Sequence, residues 1–354
     1  MMKNYELDET ALYAWLPWGG LMNPCVQRNK DGSFIGIINL VRSEQDADSQ
    51  HNQIPTAFSN FNSGWCLWHE YQHYPEFISE YIFVLWNPLY VKKKEKIFSR
   101  LLNMFDMPKN RLIWNTLTDC KQRYMPEEKA ADYFHEVMTS ITNALNEKFS
   151  ATLLRNEEII NALSSVISMQ QEHYSMPQIP LFFDVICSEA DFQMRDYDIV
   201  INQKMMSIIS VPALHHFSAD FKEELLHRLS HLPYRLSMRA LLTNNKEASR
   251  RLDKYLHTWC KNRSVIRNTI REDVLKELNG YFSNTFIFFN DNADTLDEIT
   301  EAAISVFRKM SIPYIVERKN YKTAWWSSIP GMFRAKEHYT ISGCTADNFF
   351  RLYS

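Results

Sequence analysis

The residues with the clearest chemical potential are His69, Glu70 and His73, which form an H-E-x-x-H pattern. On a helix this spacing places two imidazoles on one face, where they bind zinc, while the glutamate acts as the general base of a metallopeptidase. Glu95 follows at a distance suitable for a third ligand, although it lies within a run of lysines. The pattern therefore raises a zinc metallohydrolase as one functional hypothesis.

The residues around this pattern favour a strand instead of a helix. The motif follows the apolar residues 64–68, and Pro75 comes two positions after His73. On a strand, residues i and i+4 are about 13 Å apart, which is too far for both to bind one zinc ion. We therefore predict that the motif is coincidental and keep the zinc hydrolase as an alternative.

Four further histidines could bind a metal ion. His215 and His216 are adjacent, and His227 and His231 have i, i+4 spacing on a predicted helix over residues 220–231. A zinc site needs three or four ligands, and no carboxylate or cysteine obviously completes this set. We interpret these histidines as a solvated helix face, because histidine is often only partly buried.

Two basic segments could contact phosphates of DNA or lipid. Residues 92–96 are rich in lysine, and residues 246–271 form a predicted helix with eight basic side chains. These are Lys246, Arg250, Arg251, Lys254, Lys261, Arg263, Arg267 and Arg271. An amphipathic helix presents such a face to solvent in any case, and the net charge of -3 provides no general attraction for polyanions. A nucleic-acid-binding module is therefore the second alternative, and nucleic acid is not an expected partner.

The sequence lacks the motifs of nucleotide binding and nucleophilic catalysis. It contains no G-x-x-x-x-G-K-[ST] motif, and no glycine is followed by lysine. Its six cysteines form no C-x-x-C pair, which is typical of free thiols in a reducing cytosol. The start of the chain resembles no secretory signal. We predict no catalytic, nucleotide-binding or metal-binding residues, no cofactor and a cytoplasmic location.

The first half of the sequence is predicted to be rich in strands. Asp31 and Gly32 permit the positive φ of a tight turn between residues 25–27 and residues 34–41, which predicts a β-hairpin. Asn156 precedes two glutamates and an apolar run, as a helix N-cap does. The other predicted elements are strands over residues 64–69 and 78–86 and helices over residues 92–105, 126–145 and 157–167.

The second half alternates between strands and helices. Predicted strands cover residues 199–201, 206–211, 234–242, 285–289 and 312–316, and predicted helices cover residues 220–231, 245–279 and 294–310. Gly280 is interpreted as the C-terminal cap of the long helix. The pattern predicts an α+β fold, with a strand-rich half followed by an alternating β/α half. That half would have a split βαβ, ferredoxin-like arrangement and a mixed sheet. We predict subdomains at residues 1–175 and 176–345 and a linker at residues 346–354.

Short segments spread along the chain resemble the N-terminal region of the TrbE/CagE family, the VirB-type ATPases of type IV secretion and conjugation. They are residues 16–18, 29–34, 62–65, 161–167, 255–259, 326–331 and 345–350. The first is Leu-Pro-Trp, the second is Asn-Lys-Asp-Gly-Ser-Phe, and the sixth is Trp-Ser-Ser-Ile-Pro-Gly. Each is short, but together they occur in the family's order across nearly the whole chain.

The resemblance implies a function without catalysis in this chain. In such bacterial ATPases a RecA-like module with Walker motifs follows this region, and we expect it beyond Ser354. The implied role is to dock the ATPase onto the inner-membrane complex. The implied partners are inner-membrane type IV secretion subunits, scaffold proteins and further copies of the chain. The implied location is the cytoplasmic face of the inner membrane, with peripheral membrane contact.

Overall fold

The strands of the protein form one large sheet. The computed structural model describes residues 16–41, 61, 64–75, 77–88, 127–146, 150–171, 173–175, 191–194, 199–212, 214, 217–242, 278–332 and 340–344. The strands are β1 (Trp18–Asn23), β2 (Val26–Asn29), β3 (Phe34–Val41), β4 (Trp65–His73), β5 (Ile78–Trp86), β6 (Ser150–Leu153), β7 (Phe192–Met194), β8 (Ile199–Ile201), β9 (Lys204–Ser210), β10 (Tyr234–Leu242), β11 (Leu278–Asn290), β12 (Ile315–Val316) and β13 (Thr340–Cys344).

The main path of the sheet runs β1-β2-β3-β5-β4-β10-β11-β9-β8-β7. Strand β6 pairs with β3, β12 with β9, and β13 with β11. Every strand pair among the described residues is antiparallel. The expected mixed direction is therefore wrong for this part of the chain, and the split βαβ arrangement is not seen there. A mixed α and β composition with a strand-rich first half is confirmed.

Helices cover both faces of this sheet. They are α1 (Glu127–Asn146), α2 (Glu157–Ser168), α3 (Ala219–Leu229), α4 (Ala293–Lys309) and α5 (Tyr321–Ser328). Helices α1, α3 and α4 pack on the first face, and α2 and α5 pack on the second face. The central strands are consequently buried on both faces, and eight of the nine residues of β4 are buried.

The hairpin turn, three strands and the first helix agree with the sequence predictions. Gly32 has φ 81° in the turn between β2 and β3, which are antiparallel. The bounds of β5, β8 and β10 match the predicted ranges. Helix α1 buries Phe134, Met138 and Ile141 from its predicted apolar stripe.

The segment around Gly280 was predicted wrongly. Leu278, Asn279 and Gly280 belong to β11, so Gly280 does not cap a helix. It pairs with Leu242 of β10, and a Cβ atom there would lie 2.7 Å from the Leu241 carbonyl oxygen. A glycine in a strand marks such a close backbone approach as well as it marks a helix end. The rest of the predicted helix over residues 245–279 lies outside the described residues.

Five elements are absent from the sequence predictions, namely β1, β6, β7, β13 and α5, and one cap differs from its predicted form. Strand β6 and helix α5 are both short, four and eight residues long. Asn156 does precede α2, but its side chain makes no capping hydrogen bond. Its backbone has φ 46°, a conformation that asparagine tolerates better than most residues.

The sheet crosses the predicted boundary near residue 175. Strand β4 from the first half pairs with β10 from the second half over eight residue pairs, from Tyr234–His73 to Leu241–Cys66. The division into subdomains at residues 1–175 and 176–345 stays a prediction. Among the described residues, no helix is long and apolar enough to cross a membrane.

Candidate functional site

The H-E-x-x-H residues lie on β4, as the sequence predicts, and successive side chains point to opposite faces of the sheet. His69 and His73 face the first side, where His69 Nε2 lies 2.6 Å from Glu80 Oε1. His73 Nδ1 lies 3.1 Å from the Leu232 carbonyl oxygen, and its ring stacks on Tyr234 at a centroid distance of 5.4 Å. The two histidines therefore bind neighbouring protein groups and do not converge.

Glu70 points to the second face and is completely buried. Its Oε2 accepts a hydrogen bond of 2.7 Å from Arg235 Nε, and its Oε1 accepts one from the Ser237 hydroxyl. Burial raises the pKa of the Glu70 carboxyl, and the Arg235 guanidinium and Ser237 hydroxyl oppose that shift. A glutamate that acts as general base must contact a water molecule, and the Glu70 carboxylate is completely buried. The geometry therefore does not support the zinc hydrolase. No group of three or more metal-ligating side chains occurs among the described residues.

The other histidines and basic residues considered as possible ion ligands do not form one site in the described structure. Helix α3 ends at Leu229, so His231 lies beyond the helix that was predicted to carry both it and His227. Both side chains are exposed. His215 and His216 lie outside the described residues, as do Glu95 and the basic residues 92–96 and 246–271.

Three of the segments that carry the family resemblance meet on the second face. Trp18 Nε1 donates a hydrogen bond of 2.8 Å to the Pro330 carbonyl oxygen, across 312 positions of sequence. Lys30 N donates one of 2.8 Å to the Pro17 carbonyl oxygen. Gly331 adopts φ 97°, and a Cβ atom there would lie 2.9 Å from Pro17 Cγ. The first, second and sixth of these segments are therefore parts of one packed unit.

The hairpin turn supplies the rigid part of this unit. Ser33 donates from its backbone nitrogen and its hydroxyl to Asp31 Oδ1, at 3.0 and 2.6 Å. Asn29 Nδ2 donates to Ser33 Oγ at 3.0 Å. Such local side-chain bonds are the reason that Asp, Asn and Ser favour turns.

Arg235 binds the C-terminal ends of two helices. Its Nη1 donates to the Val166 carbonyl oxygen of α2 at 3.2 Å, and its Nη2 donates to the Ser328 carbonyl oxygen of α5. Carbonyl groups in the last turn of a helix have no partner within the helix and carry the negative end of its dipole. The guanidinium therefore satisfies both helix ends, and Glu70 balances its charge.

The last turn of α5 and the segment after it are held by further buried donors. Trp68 Nε1 donates to the Ser327 carbonyl oxygen at 3.1 Å, and Arg239 Nη2 donates to the Met332 carbonyl oxygen at 2.9 Å. The Arg239 guanidinium also lies over the Trp68 ring, 5.2 Å from its centroid. We call Trp18, Trp68, Glu70, Arg235 and Arg239, with the carbonyl groups of residues 327–332 that they hold, the motif junction.

Sequence reasoning missed both arginines of the motif junction. Residues 234–240 alternate between apolar and polar types, a pattern that normally marks a strand with one solvated face. Here Arg235, Ser237 and Arg239 are buried beneath α2 and α5. The signal that could have revealed them is Glu70, because a carboxylate within an apolar strand needs a buried cation or donor.

Comparison with curated proteins finds a relative over most of the chain. No family model matches the chain. The conjugal transfer protein TrbE of Rhizobium radiobacter is 20% identical over an alignment of 399 positions, gaps included, that covers 94% of this chain. The chain is similar to TrbE. The predicted resemblance is thereby confirmed. The match covers 48% of TrbE, so the chain spans about half the length of this curated relative.

Proposed function

We propose that this chain is a docking and assembly region of a type IV secretion or conjugal transfer ATPase. The observation that carries the proposal is the similarity to TrbE over 94% of the chain. Two of the segments that support the resemblance, residues 16–18 and 326–331, contribute to the motif junction through the hydrogen bond from Trp18 to Pro330. In this proposal, the chain couples the ATPase to the inner-membrane complex.

The proposal assigns ATP hydrolysis to the part of a TrbE-like protein that this chain does not match. A phosphate-binding loop needs glycines followed by a lysine and a hydroxyl residue, and the chain has no Gly-Lys pair. The chain matches 48% of TrbE, which leaves room for an ATPase module in the rest of the relative. We therefore infer that this region has no turnover of its own.

The packing of the protein supports a role in transmitting movement from one part of the molecule to another. The sheet is covered by helices on both faces, and buried hydrogen bonds of the motif junction tie β4 to the end of α5 and β1 to the segment after it. A close-packed interior of this kind moves as a unit rather than deforming gradually. A displacement at residues 327–332 would therefore be passed to the strands that hold them.

The proposed partners are inner-membrane subunits, scaffold proteins and further copies of the chain, at the cytoplasmic face of the membrane. The basic residues 92–96 and 246–271 favour peripheral contact with anionic lipid.

The test is co-purification from bacterial membranes. The chain, tagged, would be produced together with the inner-membrane subunits encoded by the same secretion system, and the membranes would be solubilised in mild detergent. We expect these subunits to co-purify with the chain and no ATP hydrolysis above that of a mock preparation. ATP turnover by the purified chain would overturn the non-catalytic assignment, and a chain recovered without any of the subunits would overturn the docking role.

A further inference from the structure

The sheet splits between β3 and β5. Their pairing runs from Phe34–Trp86 to Asn39–Tyr81, after which the end of β3 pairs with β6 on its other edge. A cavity of about 600 Å3 opens at the split and is lined from both faces of the sheet. Its lining includes Val41 of β3, Ile78 of β5 and Asn161 of α2.

A second cavity of about 500 Å3 continues from the first. It lies between α3 and the turn that joins β4 to β5, and it shares Tyr71 and Ile78 with the first cavity. Leu226 and His227 of α3 form part of its wall. We call the two cavities together the split-strand groove.

The split-strand groove has exposed apolar side chains. Five large hydrophobic residues are exposed among the described residues, and two of them, Val41 and Ile78, line this groove. Ile78 is the most exposed of the five, at 60%. It stands where the two cavities meet, so it is placed to contact a ligand in either of them.

The same groove is acidic. Glu80 and Glu158 line the first cavity, and Asp220, Glu223 and Glu224 line the second. Neither cavity has a lysine or an arginine among its described lining residues. The carboxylates have partners beside the groove: Glu80 contacts His69, Glu224 pairs with Arg228, and Asp220 and Glu223 also make interactions. The described lining of the groove therefore combines exposed apolar side chains with five carboxylates.

We propose that the split-strand groove binds the cytoplasmic juxtamembrane segment of an inner-membrane subunit. This inference rests on the proposed function. Cytoplasmic segments next to membrane spans carry an excess of lysine and arginine, which complements the carboxylates of the groove. An aliphatic or aromatic residue between those basic residues supplies the anchor that contacts Ile78, as anchors do in most peptide interfaces.

The first experiment measures peptide binding to the complete chain by fluorescence anisotropy. The probe is a fluorescein-labelled peptide of sequence KRLKWIRKLK, compared with EELEWIEELE and with KRSKSSRKSK. We expect saturable binding of the first peptide only, because the second reverses the charge and the third lacks the anchor. No binding of the first peptide, or equal binding of the second, would overturn the proposal.

Ile78→Ser tests the apolar contact, and Ile315→Ser is its matched control. Ile315 is 48% exposed but lies on β12, away from the groove. We expect the first variant to weaken peptide binding about tenfold, the scale of one buried aliphatic side chain, and the second to leave it unchanged. Equal affinities of the two variants would place the peptide elsewhere.

The double substitution Asp220→Lys/Glu224→Lys tests the charge. Its matched control is Asp297→Lys/Glu301→Lys, with the same spacing on the exposed face of α4. We expect the first double variant to weaken binding tenfold or more at low salt, with a smaller difference at high salt because exposed charges are screened. A loss that is equal in both double variants reflects net charge alone and would overturn the assignment of the groove.

Two other occupants are outcomes of the same series. Concentration-dependent self-association that Ile78→Ser abolishes would assign the groove to a second copy of the chain and overturn the proposal. Binding to anionic phospholipid vesicles that Ile78→Ser abolishes would assign it to lipid. If the inner-membrane subunits still co-purify with both groove variants, this inference is overturned and the proposed function stands. If they do not co-purify with the unchanged chain, the proposed function is overturned.

Discussion

At the scale of single residues, the central feature is Arg235. It is completely buried, it pairs with Glu70, and it donates to the last turns of α2 and α5. Replacing a buried ion pair with apolar residues is often neutral, but removing one partner leaves a buried charge without compensation. Arg235 also donates to a carbonyl group at the end of each helix, so its loss removes contacts that the sheet makes with both α2 and α5.

Arg235→Met is expected to lower the free energy of unfolding by about 3–5 kcal/mol, because it leaves the Glu70 carboxylate buried without its cation. Urea denaturation followed by tryptophan fluorescence would measure the change. The double variant Glu70→Gln/Arg235→Met should be more stable than the single variant, since the unpaired charge is gone.

The matched control for this experiment is Arg228→Met. Arg228 pairs with Glu224 on the exposed side of α3, with 47% of its side chain accessible. Exposed ion pairs contribute about 1 kcal/mol or less, so the effect should be small. Equal losses from Arg228→Met and Arg235→Met would contradict the role assigned to the buried pair.

At the scale of elements, the segment after α5 lies across the second face of the sheet. We call this segment, residues 329–332, the strap. Its backbone turns at Gly331, where φ is 97°, and its carbonyl groups receive hydrogen bonds from Trp18 and Arg239. A residue with a Cβ atom is strained at this φ. The strap can therefore lie against Pro17 and Trp18 because position 331 is glycine.

Gly331→Ala is expected to destabilise the protein by about 1–3 kcal/mol, from backbone strain and from the approach of the new methyl group to Pro17 Cγ. Thermal unfolding by circular dichroism would report the change. Gly20→Ala is the control, because a Cβ atom at Gly20 has no other atom within 4 Å. A Gly331→Ala protein as stable as the Gly20→Ala protein would show that the strap does not need this turn.

At the scale of the whole molecule, one antiparallel sheet joins the two halves of the sequence. The contact pairs eight of the nine residues of β10 with β4, and both strands are buried on both faces. Interfaces between independent domains are smaller and more polar than a shared central strand pair. We therefore expect residues 1–175 and 176–345 to fold as one cooperative unit.

A protease site inserted between residues 175 and 191 would test this expectation. After cleavage, the two fragments should elute together in size-exclusion chromatography under native conditions and unfold in a single transition. The same protein without cleavage is the control. Fragments that separate without denaturant, or two resolved unfolding transitions, would instead support the predicted division into subdomains.

Features that depend on neighbouring residues could be predicted from the sequence. The Asp31-Gly32 turn, the strand that carries His69 and the helix α1 follow from turn chemistry and from the spacing of apolar residues. The absence of a phosphate loop and the resemblance to the TrbE/CagE family were likewise read from the order of residues. These signals are local, and no partner elsewhere in the chain changes their meaning.

Only the tertiary structure decided which of these elements share a core. Gly280 could end a helix or permit a close strand contact, and pairing with Leu242 selected the strand. Arg235 could face water or a carboxylate, and burial against Glu70, 165 positions away in sequence, selected the ion pair. The split between β3 and β5 has no sequence signature at all. Sequence periodicity states which side chains must be buried, but the partner that satisfies a buried charge is supplied by a distant strand.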